Sequence, residues 1–531
     1  MGLSLSSACT AIGPPQRPAV STAAAKTPKR LVITAPKMPT QPADCGHVSP
    51  DNQYPNLAIV PSGSVCGTCL VATGYAIMPQ SRRPYVIFCP GLRSFGMTRY
   101  LSRRGVLKAT AKLAVAGSVG AVCAAIARAE LQTGHNAKTF AHLDAALRAA
   151  VNSGEVPGVV ALCATENGII YEGVFGERRL REGPAMTRNT VFRIASMVKL
   201  ITTVAAMQLV EQGKLSLDAP VPDIEPVLGS PQVLDGFDTA GKPQLRPARR
   251  PILLRHLLTH TSGFAYPLWD AKAFQYSQAI TKLPAAQRQQ APRTPLMFDP
   301  GERWQYGTSI NWVGRIVEAT SGEPLDDYLR LHILEPLGMK DTGFLISAEQ
   351  RAREASGHRR KADGSLAAQP KEPPSAEQPK VRHAFSGGGG IYSTAPDYLT
   401  LIRALMHGGT LDGVRILRSN TVALMGQNQI GDIEAGVLKT MAPGVSNDVN
   451  FFPGIGLRWG FGHMINMQDV PEGRSAGSLT WAGLYNTYYW IDPRKRVAGV
   501  FMTQVLPFAD DRALRAYRQF ERAVYSAVNA G

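Results

Sequence analysis

The chain has 531 residues, 44% hydrophobic and 18% charged, with a formal charge of +17. That composition excludes a disordered or fibrous protein and leaves ample apolar material for a packed core. The charge points to a polyanionic partner only until its distribution is read: residues 1–129 hold fourteen Lys and Arg against two Asp and Glu, leaving 43 against 38 in residues 130–531. No cluster of Lys and Arg interleaved with aromatics occurs in that second part, which argues against nucleic acid as a partner.

Residues 1–96 are rich in Pro, Ser and Thr and show no sustained helical or strand period, so they read as disordered or as no part of the native protein. Cys9, Cys45, Cys66, Cys69, Cys89 and Cys123 precede residue 130, and Cys163 is alone after it, which excludes a structural disulfide in the body. Cys66 and Cys69 have metal-ligand spacing, but no second pair or His cluster follows, so no metal or other cofactor is expected. Ser102-Arg103-Arg104-Gly105-Val106-Leu107-Lys108 resembles a twin-arginine export motif, and Ala127-Arg128-Ala129 suits signal-peptidase cleavage. The apolar stretch between them, Leu113 to Ile126, is shorter than the ~20 residues that span a bilayer. Val122 before Cys123 is not the small residue of a lipoprotein signal. These features predict a signal peptide over 97–129 with translation from Met97, transient contact with the export machinery and signal peptidase, and a periplasmic or secreted protein without a stable membrane anchor.

In residues 130–531 helical period runs from Thr139 to Val151, followed by a hairpin of Val159–Ala164 and Gly168–Gly173. Strand patterns return at Leu484–Ile491 and Val497–Met502, and a helix from about Asp511 to Val528 closes the chain. Strands at both ends with helices between them predict an α/β (α+β) fold, an antiparallel sheet built from both termini with a mostly helical insertion. Residues 356–381, rich in Pro, Lys and Glu, and 426–453, rich in Gly, Asn and Pro, read as loops, which at a domain junction can shape a substrate entrance.

Ser196 precedes Lys199 by three residues at the start of the apolar-periodic run Val198–Leu209 that Gly213 ends, so both are predicted in the first turn of one helix. Residues i and i+3 share a helix face, which sets an ammonium beside a hydroxyl, and the helix N-terminus favours a developing alkoxide. Such a pair needs a proton relay and oxyanion donors. Tyr306, after the Asp299-Pro300-Gly301 turn and ahead of a helix near Ile310, offers the first. Gly477-Ser478-Leu479-Thr480-Trp481-Ala482-Gly483, leading into a strand, offers the second. With Leu257-Leu258-Thr259-His260-Thr261-Ser262-Gly263 and the Gly387–Gly390 turn, residues 138–529 resemble the serine β-lactamase and penicillin-binding superfamily, its class C-like branch and the family VIII carboxylesterases most of all.

The resemblance implies Ser196 as acylated nucleophile, Lys199 as the neighbouring cation, Tyr306 as general base, and the backbone N–H groups of Ser196 and Leu484 as oxyanion hole. A tyrosine of pKa near ~10 serves as base only where a neighbouring cation stabilises its phenolate, and Lys199 is the obvious source. The chain departs from the pattern in two places. Thr308 stands where an Asn is usual, and Trp481-Ala482-Gly483 replaces Lys-Thr-Gly; Lys439-Thr440 is the nearest Lys-Thr and lacks both the Gly and the strand. These departures move the expected substrate from lactams to small uncharged esters held by Trp481, Gly483 and Thr308. β-Lactamase, D-Ala-D-Ala carboxypeptidase, acyltransferase or amidase activity and a silent binding module remain alternatives. His256 and His260, predicted four apart on one helical face, lack the Glu of a zinc protease and read as structural. Gly387–Gly390 reads as a tight turn rather than a substrate contact, and Trp459-Gly460-Phe461-Gly462-His463 as pocket lining or turn packing.

Overall fold

Both ends of the described chain feed one sheet. After α1 (Ala141–Asn152), β1 (Gly158–Thr165) and β2 (Gly168–Gly176) form the expected hairpin. The chain then passes through α2 (Val198–Glu211), α3 (Ser309–Ser321), α4 (Ala395–Met406) and shorter elements. It returns as β3 (Leu457–Trp459), β4 (Met464–Asn466), β5 (Leu479–Gly483), β6 (Thr487–Asp492), β7 (Val497–Met502) and α5 (Asp511–Ala530). The seven strands lie in the order β3-β4-β5-β6-β7-β1-β2, every neighbouring pair antiparallel. This computed structural model describes residues 140–290, 292, 294–370 and 385–530. The export segment, Met97 and the six cysteines before residue 130 lie outside the described residues.

Strand alternation assigns the two faces of the sheet. Tyr489 packs on Tyr398 of α4 with ring centroids 5.3 Å apart, while the next residue, Trp490, packs on Phe520 of α5 at 5.3 Å. Trp481 of β5 lies opposite Tyr489 and therefore shares the α4 face. Gly499 lies opposite Trp490, where a Cβ would stand 2.1 Å from the indole, so only glycine fits. Helix α2 is buried on every side from Val198 to Leu209, the burial expected of a helix apolar all round. Cys163, on β1, is buried and, among the described residues, unpaired.

Three predicted boundaries shift. Ser196 lies not in an α-helical turn but in a 3-10 turn, Ala195–Met197, which runs into α2. Leu484 is not in a strand: β5 ends at Gly483, residues 484–486 turn, and Asn486 at φ +62 supplies the left-handed residue of a three-residue hairpin. Leu484 and Tyr485 before Asn486, and Tyr488 to Trp490 after it, are strand-like residues that conceal that turn from a hydrophobicity pattern. Residues 356–370 are no simple loop, since His358–Arg360 pairs with both Leu366–Ala368 and Val505–Leu506. Residues 426–453 are irregular beyond Gly426, as expected.

Candidate active site

Ser196 occupies a strained elbow. The chain enters its turn through Ala195 at φ +44, a conformation residues with a Cβ rarely adopt, and the Tyr398 hydroxyl fixes the turn by donating to the Met197 carbonyl at 2.9 Å. Lys199, one residue into α2 and only 2% exposed, sets its Nζ 3.1 Å from Ser196 Oγ. The same nitrogen donates to the Gly388 carbonyl at 2.7 Å and lies 3.4 Å from the Tyr266 hydroxyl. Among the described residues no carboxylate pairs with it. Burial alone pulls its pKa down to about 7.

Gly387–Gly390 forms the turn expected from the sequence, and its backbone also reaches Lys199. Its backbone lies flat on the site because side chains are absent: a Cβ on Gly387 would stand 2.5 Å from the Ile310 carbonyl, and one on Gly388 2.0 Å from Asn311 Oδ1. Close approach lets the Gly388 carbonyl reach Lys199 and the Gly387 carbonyl accept from Thr202 Oγ1 at 2.8 Å.

Tyr306 is 1% exposed and ringed by aromatics, with centroids of Trp481 at 4.7 Å, His260 at 4.8 Å, Tyr266 at 5.4 Å and Trp269 at 5.5 Å. Its oxygen accepts the Trp481 indole N–H at 3.2 Å and shares a hydrogen bond with the Ser196 hydroxyl. Lys199 Nζ stands 5.1 Å from the ring centroid. Burial, with Tyr266 beside it, pushes the Tyr306 phenol well up, and the hydrogen bonds from Ser196 and Trp481 pull back only part of that rise. This reverses the electrostatics expected from sequence. The cation does not make a standing phenolate of Tyr306; the low-dielectric surroundings instead favour the neutral amine of Lys199.

The end of β5 presses on the nucleophile turn. A Cβ on Gly483 would stand 2.2 Å from Thr487 Oγ1 and 2.3 Å from the Ile194 carbonyl, which sets Gly483 in backbone contact with the Ser196 segment and brings the Leu484 turn alongside it. Trp481 is 3% exposed, its ring edge-on to Trp459 at 4.7 Å and to Phe451 at 6.1 Å. Trp459 thus belongs to the wall behind Trp481, and Phe451 brings the 426–453 segment onto that wall. Thr308 Oγ1 is buried without a hydrogen-bond partner just ahead of α3. His256 and His260 do not share a helical face: the helix ends at Leu258, and His260 follows at φ +58. His256 Nδ1 accepts from the Leu253 N–H at 3.2 Å, whereas His260 is buried against Tyr306 and Trp459 with neither ring nitrogen bonded.

Tyr266 and the Gly388 carbonyl escaped sequence reasoning. The available signal for Tyr266 was its place directly after the Leu257–Gly263 segment, in Phe264-Ala265-Tyr266.

Comparison with known proteins agrees with this fold. The beta-lactamase family model matches residues 143–524. A methylbutanoyltransferase acting on ML-236A carboxylate from Penicillium citrinum is 33% identical over 73% of this chain and 94% of its own length. A lovastatin esterase from Penicillium rubens is 31% identical over 73% of this chain and 99% of its own. Among solved structures, a mutant simvastatin synthase from Aspergillus terreus superposes with a TM-score of 0.65 at 31% identity, covering 74% of this chain and all 100% of the other. EstCE1, a hydrolase with promiscuous acyltransferase activity, gives 0.57 at 25% identity over 74% and 100%. The chain belongs to the beta-lactamase family of the serine β-lactamase and penicillin-binding fold, in which acyltransferases and esterases are also found.

Proposed function

We propose that the protein transfers acyl groups from small uncharged carboxylic esters through an acyl-enzyme on Ser196, releasing them to water or to an alcohol. The observation that carries this reading is Lys199 Nζ, 3.1 Å from Ser196 Oγ, buried without a carboxylate and lowered to about 7. A neutral amine has two N–H groups and one lone pair; the Gly388 carbonyl can only accept, so one N–H is committed there and the lone pair is available to the Ser196 hydroxyl.

Lys199 then takes the Ser196 proton as Oγ attacks the ester carbonyl. The backbone N–H groups of Ser196 and Leu484 receive the oxyanion. On collapse the acyl C–O bond breaks and the departing oxygen takes the Tyr306 proton, leaving a phenolate near the new Lys199 ammonium. In the second half water or an alcohol gives its proton to that phenolate while attacking the acyl carbon. Lys199 returns its proton to Ser196 Oγ, and the site is restored. The aromatic wall of Trp481, Trp459 and Phe451 offers apolar contact and no cation for a carboxylate, which supports esters over penicillin-like substrates. Transfer to an alcohol is supported by the methylbutanoyltransferase relative as hydrolysis is by the esterase. The twin-arginine motif supports an exported protein.

The test assays a short-chain chromogenic ester beside a chromogenic cephalosporin, with and without an added alcohol, and repeats both with Ser196→Ala. Ester turnover lost in Ser196→Ala is the expected result, and alcohol-dependent product identifies transfer. Dominant cephalosporin turnover overturns the ester reading, and turnover surviving Ser196→Ala overturns the acyl-enzyme.

A further inference from the structure

Lys199 stands between two tyrosines, and its charge does not choose between them. Its Nζ lies 5.5 Å from the ring centroid of Tyr266 and 5.1 Å from that of Tyr306, and the hydroxyl within its hydrogen-bond reach, at 3.4 Å, is that of Tyr266. Burial pushes both phenols up. Two hydrogen bonds on the Tyr306 oxygen separate them, one shared with the Ser196 hydroxyl and one from a fixed donor outside the reacting groups, the indole N–H of Trp481 at 3.2 Å.

We infer that the Trp481 indole N–H, added to the Ser196 bond, favours Tyr306 over Tyr266 as the group that protonates the leaving oxygen, which makes Trp481 a positioning residue for proton transfer as well as part of the apolar wall. An indole donates and cannot accept, so it neither takes the proton nor competes for it. It is also held in place. The β5 backbone is paired with both neighbouring strands, Trp459 lies edge-on at 4.7 Å, and Phe451 closes the other side at 6.1 Å. A donor already aimed at the oxygen where negative charge develops requires no reorganisation during reaction. In the step concerned the acyl C–O bond breaks, the leaving oxygen takes the Tyr306 proton, and the O–H electron pair stays on the phenolate facing Nε1 of Trp481. The inference rests on the proposed acyl transfer at Ser196.

Leaving groups provide the test, because a nitrophenolate departs without a proton whereas an alkoxide needs one. Trp481→Phe keeps a ring and removes the N–H. With alkyl and nitrophenyl esters of the same acyl group, kcat/KM of this variant falls about 10- to 100-fold on the alkyl ester, the range for losing a hydrogen bond to a charged group. The loss on the nitrophenyl ester is smaller by about tenfold. Equal losses on both esters overturn the inference, since damage to packing alone lowers both together. A second measurement needs no turnover. In the 1H–15N spectrum of the native chain, the Trp481 indole proton, identified by its disappearance in Trp481→Phe, moves upfield in Tyr306→Phe. An unmoved resonance overturns the inference, while wild-type protein inert toward both esters overturns only the ester reading of the site.

Discussion

Lys199 and Arg474 are both buried cations, on opposite faces of one sheet and in opposite electrostatic circumstances. Arg474, 0% exposed, sets Nε and Nη2 on the Glu521 carboxylate at 2.7 and 2.8 Å, and Nη2 also donates to Tyr517 at 2.7 Å. Its guanidinium lies over Phe452 and Trp490. Burial pulls this guanidinium down, but the carboxylate of Glu521 more than offsets it, and the net direction is up. Lys199 at 2% exposure has no such partner, and burial acts on it unopposed. The first arrangement fixes a charge and joins α5 to the segment between β4 and β5. The second leaves a proton free to move. In this chain a buried cation without a carboxylate marks the chemistry, and one with a carboxylate marks the scaffold.

The largest expected effect breaks the comparison at Lys199. Lys199→Met retains an unbranched side chain of similar length and lowers kcat/KM for an ester by about 10⁴- to 10⁶-fold, as removal of one member of a catalytic unit does. Its stability moves the other way. The folded-state pKa of about 7 lies below the ordinary 10.5, so between these values the unfolded chain holds a proton that the folded chain lacks, and stability rises with pH across that window. Below about 7 the folded wild type carries the whole penalty of a buried charge. Lys199→Met removes it, with a gain on the order of 1–3 kcal/mol at pH 6 after the lost bond to Gly388 is offset, and a smaller gain at pH 9. Denaturant unfolding at both pH values measures this; a variant less stable than wild type at pH 6 removes the contrast.

The next effect is in stability alone. Arg474→Met strands the Glu521 carboxylate, 5% exposed, beside Tyr517 and is expected to cost about 3–5 kcal/mol. Replacing Glu521 by Leu as well recovers a large part of that loss, because no unpaired charge then remains inside. Equal stability of the single and double variants by denaturant titration contradicts a pair whose partners depend on each other.

Much of this contrast was legible beforehand, though unevenly. The Ser196–Lys199 spacing, Tyr306 and the sheet drawn from both termini each leave a local pattern: a helix period, a turn, a run of β-branched and aromatic residues. The carbonyl of Gly388 and the hydroxyl of Tyr266 leave none, since they meet Lys199 through folding from 189 and 67 residues away. The direction of the Tyr306 shift was misread for a related reason. Spacing indicates which groups are neighbours, but desolvation depends on the rings that close over them, and His260 and Trp269 of one loop meet Trp481 of a distant strand only through folding. Arg474 and Glu521, 47 residues apart, leave no local pattern either and meet because α5 packs on the sheet.

The smallest effect sharpens the comparison with a third cation. Lys439 begins the nearest Lys-Thr pair to the strand that lacks one, and its ammonium meets Asp448 at 2.8 Å with side chains 73% and 53% exposed. Water screens such a pair and its side chains lose rotamer freedom to form it, so Lys439→Ala is expected to change stability by less than about 0.5 kcal/mol. The segment bearing it is held by other means, the Met441 N–H on the Leu268 carbonyl at 2.8 Å and the Trp269 indole on Ser446 at 3.0 Å. The wall that Phe451 builds against Trp481 therefore survives without the lysine, and ester turnover by Lys439→Ala should stay within about twofold of wild type, inside the range of surface substitutions. A tenfold loss in kcat/KM with unchanged stability assigns Lys439 a direct part in binding substrate, and exposure would then no longer separate the cations of this fold by role.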